Sequence, residues 1–140
     1  MMASITWFDL QLSLDFADAG QKYDGGAWFN RKTGELWTCG DGIWGPQEPA
    51  EDLNQSPDFV PAPNSHDLRL GVPLAMDFAY ARLPDQVEEI RALFHRKGGW
   101  RNFRTLIARQ NVEQEWFTWQ DAATEKALRE WAAEEGFEVI

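Results

Sequence analysis

The residues best suited to chemistry lie between Arg91 and Arg109, a stretch with six cations (Arg91, Arg96, Lys97, Arg101, Arg104, Arg109) and no acid. Gly98 and Gly99 precede Trp100, and a helix opening there leaves free backbone amides where the macrodipole favours an anion. Arg101 and Arg104 are three residues apart and so share a helix face. Trp100 beside them offers a ring on which a base can stack. Arg96, Lys97, Trp100, Arg101 and Arg104 are therefore the candidates for binding a nucleotide phosphate or single-stranded nucleic acid. The competing expectation is that these cations pair with Glu113, Glu115, Asp121 and Glu125 on the following helix, in contacts worth roughly 0–1 kcal/mol each.

Other reactive side chains are sparse. The two histidines are His66 and His95. His66 neighbours Asp67, but adjacent side chains diverge, and adjacency alone makes no dyad. There is no glycine-flanked serine elbow and no glycine-rich phosphate loop ending in lysine. A single cysteine and two distant histidines match no metal-ligand spacing. The sequence names no catalytic residue, no metal and no cofactor, and the balance is against an enzyme.

The tryptophans supply a second kind of candidate. Trp44 lies between Gly42 and Gly45 with no periodic neighbours to bury it, and an exposed indole is a common anchor in protein interfaces. Trp28 and the acids Glu48, Glu51 and Asp52 join it as candidates for contact with a protein partner. Trp7, Trp37, Trp116 and Trp131 stand at spacings that point inward. Cys39 reads as a small buried hydrophobe.

Composition sets the frame for both ideas. A chain of 140 residues fits one domain with a real core. Eight tryptophans and nine phenylalanines give it more aromatic surface than its length would suggest. A net charge of −10 opposes general attraction to nucleic acid or to an anionic membrane, and suits a basic partner. Binding a polyanion on such a molecule requires strongly segregated charge. One cysteine fits a reducing compartment, and Met1 to Trp7 has no basic leader followed by an apolar run. No stretch reaches the ~18 apolar residues of a membrane span. The expected location is cytoplasmic, with no membrane contact.

These residues need elements to hold them. Thr6 to Ala19 has helical spacing, with Trp7, Leu10, Leu14 and Ala17 on one face, Thr6 as N-cap and Gly20 as stop. Ala27 to Cys39 reads as a hairpin around Asn30 to Gly34, the glycine closing the turn at positive φ. Residues 45–66 hold five of the seven prolines and read as an extended acidic crossover outside the core. From Pro73 onward the pattern is helical. Pro84 opens a helix through Val87, Ile90 and Phe94, and Gly98-Gly99 ends it. A helix from Trp100 directs Trp100, Phe103, Leu106 and Ile107 inward. Asn111 is placed to cap the last helix, which either runs as one piece or restarts at Asp121, and Gly136 ends it before a closing strand at 137–140. The fold class is α+β: helix and hairpin (1–44), crossover (45–66) and helical part (67–140) in a single domain.

Two segments carry a resemblance. Trp28-Phe29-Asn30-Arg31-Lys32-Thr33-Gly34-Glu35-Leu36 is similar to an aromatic-then-"TGE" strand–turn–strand. Gly98-Gly99-Trp100-Arg101-Asn102-Phe103-Arg104, Trp116-Phe117, Ala127-Leu128-Arg129-Glu130-Trp131 and Gly136-Phe137 are similar to a glycine-aromatic-basic-x-Phe element, a Trp-aromatic pair and a closing Leu-x-x-Trp helix. Together they resemble the bacterial uncharacterised protein family 0158. The resemblance implies a small cytoplasmic α+β protein and brings no activity with it. The leading expectation is an acidic interaction protein of inhibitor, immunity or regulatory type, with phosphate or nucleic-acid binding as the alternative.

Overall fold

Thr6 starts the first helix. Its hydroxyl accepts a hydrogen bond from the Asp9 amide at 3.0 Å, satisfying one of the orphan donors of the first turn. In the computed structural model, which describes residues 2–23, 26–39 and 57–140 (backbone alone for 20–23 and Cys39), helix α1 then spans Trp7–Tyr23. Leu10 and Leu14 are buried, as the spacing requires, and Ser13 is buried with them. The Ser13 hydroxyl donates to Leu10 O at 2.7 Å, so burial leaves no donor unmatched. Gly20 does not stop the helix. A glycine weakens a helix interior by only about 1 kcal/mol and does not end one by itself.

The hairpin forms as expected from strands β2 (Gly26–Asn30) and β3 (Leu36–Cys39). They pair antiparallel with Trp28 opposite Trp37 and Phe29 opposite Leu36. The Asn30 side-chain oxygen accepts from the amides of Lys32 (2.8 Å) and Thr33 (3.2 Å), a local bond that favours turning over extension. Gly34 closes the turn at φ +77, a conformation open to glycine at little cost.

The proline-rich stretch needs correcting at its described end. Strand β4 (Phe59–Pro61) pairs antiparallel with the free edge of β2, with Phe29 opposite Val60, and gives the order β3-β2-β4. Val60 and Pro63 are buried. Proline density argued against a core element here, yet Pro61 closes an edge strand, where a missing amide donor costs little. A second, two-stranded sheet pairs β1 (Ala3–Ile5) in parallel with β5 (Phe137–Val139). The closing strand was expected from its residues; β1 was not.

The chain divides into two compact units, residues 1–68 with 127–140, and residues 69–126. The first holds both sheets and α1, which packs on β2. Trp28 and Phe29 point to opposite faces of β2, and both are buried, so this central strand is covered on each side. The division departs from sequence boundaries at 44 and 66 because residues 127–140 return to the N-terminal sheet.

The second unit is helical. Helix α2 (Val72–Arg82) carries Pro73 in its first turn, and a short 3-10 turn at Pro84–Gln86 leads into α3 (Val87–Phe94). Helix α4 (Gly99–Arg109) begins hard against α3: a Cβ on Gly99 would lie 2.7 Å from Leu93 O. Helix α5 (Glu113–Glu134) is a single helix through Asp121, not two pieces. Phe103 and Trp116 meet edge to face at 5.1 Å, and Phe78 and Trp116 do so at 5.3 Å, a geometry that aromatic quadrupoles favour.

Asn111 does not cap α5. It sits at φ +60, its amide bonds Ala108 O at 3.2 Å, and the Val112 amide bonds Ile107 O at 3.0 Å. Those two bonds make a Schellman ending for α4. Asparagine signalled a boundary correctly, but on the other side of it. Among the described residues, no helix is long and apolar enough to cross a membrane.

Candidate functional site

Charge is divided between the two units. Residues 69–126 hold nine cations and eight acids, a net +1, so the remaining residues hold four cations and 15 acids, a net −11. Among the described residues, both units carry concave surfaces with an indole in them: Trp131 in the first, and Trp100 and Trp119 in separate clefts of the second.

In the first unit a cleft of about 380 Å³ is lined by Pro61, Ala62, Pro63, Asp67, Leu68, Ala127, Glu130, Trp131 and Glu134. Helix α5 supplies four of these, Ala127, Glu130, Trp131 and Glu134, at spacings that bring them together. Glu130 and Glu134 are four residues apart and share a face, with Trp131 next to the first. Trp131 is half-buried, its ring backed by Phe29 at 5.8 Å and by Phe137 at 6.2 Å. Asp67 is set by a reciprocal turn: its amide donates to the Asn64 side-chain oxygen at 2.7 Å, and the Asn64 amide donates to the Asp67 carboxylate at 3.3 Å.

Among the described residues, no cation pairs with Asp67, Glu130 or Glu134. Nearby cations of the same unit are engaged elsewhere. Arg31 bonds Glu135 at 3.1 Å, Lys32 lies 3.4 Å from Asp58, and Arg129 stands 4.7 Å over the Trp7 ring. Like charges one helical turn apart repel, so among the described residues the cleft sets three carboxylates without paired cations beside Trp131 and the apolar Pro61, Ala62, Pro63, Leu68 and Ala127.

In the second unit α4 projects a basic side. Trp100, Arg101, Arg104, Thr105 and Ala108 line an open groove of about 550 Å³. The expected inward set is right for Phe103, Leu106 and Ile107, all buried, and wrong for Trp100, which is 39% exposed. Position 100 opens the helix beside the left-handed Gly98 (φ +81), too early for the core-facing stripe to enclose it. Phe94 (4.9 Å, 67°) and Phe103 (5.9 Å, 88°) nevertheless pin its ring edge to face.

The cations of this face do not pair with α5 as expected. Among the described residues, Arg96, Lys97, Arg101, Arg104 and Arg109 have no ion-pair partner. Arg91 differs: it bonds Glu88 and the Tyr80 hydroxyl, and these partners hold its pKa above the usual arginine value, with Glu88 foremost.

Other candidates fall away. Trp28 is 5% exposed, buried within a strand covered on both faces, and presents no surface anchor. Trp44, Glu48, Glu51 and Asp52 lie outside the described residues, as does the Cys39 side chain. Among the inward-facing indoles, Trp116 is fully buried, whereas Trp7, Trp37 and Trp131 are half-buried. His66 and His95 are exposed, and among the described residues neither bonds a carboxylate. No group of three or more metal-ligating side chains occurs among the described residues.

Sequence reasoning missed the acidic cleft. It placed Trp131 in the core and noticed Asp67 only as a neighbour of His66. The available signal was Glu130-Trp131-x-x-Glu134, which puts two carboxylates beside an indole on one helix. Comparison with protein-family models, with curated proteins and with solved structures found no match to this chain.

Proposed function

We propose that this chain is an interaction protein that takes a basic segment of another protein into the cleft of its first unit. The observation that carries the reading is that Trp131 lines the same cleft as Asp67, Glu130 and Glu134, carboxylates that have no cation paired with them among the described residues. A lysine or arginine side chain matches that lining in both parts. Its methylenes lie against the indole and prolines, and its charge relieves the repulsion between Glu130 and Glu134. An indole face also attracts a cation directly.

The cleft adjoins the described end of the proline-rich crossover at Pro61 and Pro63. Kinship with family 0158 and a cytoplasmic location belong to the same proposal. The net −11 of this unit adds steering of a basic partner, a rate effect that salt weakens.

The test uses a labelled arginine-containing peptide and fluorescence anisotropy at low salt. Glu130→Gln with Glu134→Gln should weaken binding about tenfold, while Glu113→Gln with Glu115→Gln, exposed acids of the other unit, should change it little. Equal losses from both pairs would mean diffuse attraction to an acidic protein, and would sink the cleft as the site.

A further inference from the structure

We infer that the exposed side of α4 binds single-stranded nucleic acid, with Arg101 and Arg104 holding backbone phosphates and Trp100 stacking an unpaired base. The inference stands on residues 69–126 alone and does not depend on the acidic cleft.

Three observations converge on it. Arg96, Lys97, Arg101, Arg104 and Arg109 have no carboxylate paired with them among the described residues, so their charge is directed at solvent. The net negative charge that opposes a polyanion lies in the other unit, since residues 69–126 carry nine cations and eight acids, a net +1. That meets the segregation which binding by a molecule of −10 requires. Finally, Trp100 is 39% exposed, lines the same groove as Arg101 and Arg104, and is pinned by Phe94 and Phe103. A fixed ring costs little entropy to use as a platform.

The indole selects among polyanions. An acidic peptide engages the arginines but makes no stacking use of a ring, and in a duplex the base faces are already covered by their neighbours. Only an unstacked base presents a π-face to Trp100 while its own phosphates reach the adjacent guanidinium groups. Thr105 and Ala108 complete the groove without adding an opposing charge.

The experiment measures anisotropy of a labelled oligothymidylate against the intact protein between about 50 and 200 mM salt. The expected result is salt-sensitive binding that Arg101→Glu with Arg104→Glu abolishes. The milder Arg101→Ala with Arg104→Ala lowers the slope of log affinity on log salt by about 1.4, two phosphates' worth for a single strand. Trp100→Leu, checked for fold by circular dichroism, loses about tenfold in affinity with the salt slope unchanged. Because both arginines are exposed, their variants test the idea even if Trp100→Leu unfolds. No binding at the lowest salt, or binding indifferent to the arginine variants, overturns the proposal. So does a duplex of the same length that binds equally well, or polyglutamate that displaces the oligonucleotide at equal charge; the last result would mark the face as a dock for an acidic protein.

Discussion

Gly34 and Ser4 touch through bare backbone: a Cβ on Gly34 would stand 2.0 Å from the Ser4 carbonyl oxygen. The tip of the β2–β3 turn is thus seated on β1, and it joins the three-stranded sheet to the two-stranded one within the first unit.

Gly34→Ala should therefore destabilise the protein on two counts. The left-handed φ costs an L-residue about 1–2 kcal/mol, and the clash is with backbone, which cannot swing aside. A loss above about 2 kcal/mol in denaturant unfolding is expected. A loss near that of a simple left-handed glycine replacement would show that β1 yields, and that the seating is loose.

Asp15 gives a pH signature. Partial burial, and secondly the charge of Asp18, raise its pKa above the ordinary aspartate value. Asp18 is itself engaged, accepting from the Ser65 amide and hydroxyl at 2.6 Å each. Because the folded state binds the Asp15 proton more tightly than the unfolded state, this residue lowers stability as pH rises from about 4 through its raised value. Asp15→Asn should be the more stable protein at neutral pH, by less than about 1 kcal/mol at so solvated a site. The two proteins should converge in acid. A constant difference across pH would assign the effect to packing instead of charge.

Asn111 tests the ending of α4. At φ +60 in a Schellman turn, Asn111→Gly should hold or raise the melting temperature, and Asn111→Val should cost about 1–2 kcal/mol. Equal behaviour of the two variants would remove the left-handed cap from the account.

Several local signals in this sequence held, although Gly20 did not stop α1 and Asn111 did not cap α5. Thr6 capped its helix, Gly34 closed its turn, and the spacing of Phe103, Leu106 and Ile107 found the buried side of α4, because each depends on neighbours within a few residues. What stayed hidden was set over long separations. Strand β1 is three residues long and acquires meaning only when Phe137 to Val139 lie beside it. Val60 looked like part of a proline-rich connection until β2 offered it an edge. Trp28 and Trp131 exchanged roles for the same reason: a strand covered on both sides buried the first, and a cleft opened over the second. The basic candidates Arg101 and Arg104 were legible as a face. That α5 leaves them unpaired was not, since helix spacing says nothing about which neighbouring helix supplies acids.

The parallel pairing of Ala3–Ile5 with Phe137–Val139 also orders the assembly of the protein in time. Residues 69–126 form a compact unit of their own with contacts between successive helices, and low sequence separation favours rapid folding. The first unit closes only after that whole insert has been synthesised, because β1 has no partner until β5 emerges. On a ribosome the helical unit therefore has the opportunity to fold early, while the acidic unit waits with its N-terminal strand unpaired, its completion tied to the last strand of this sequence.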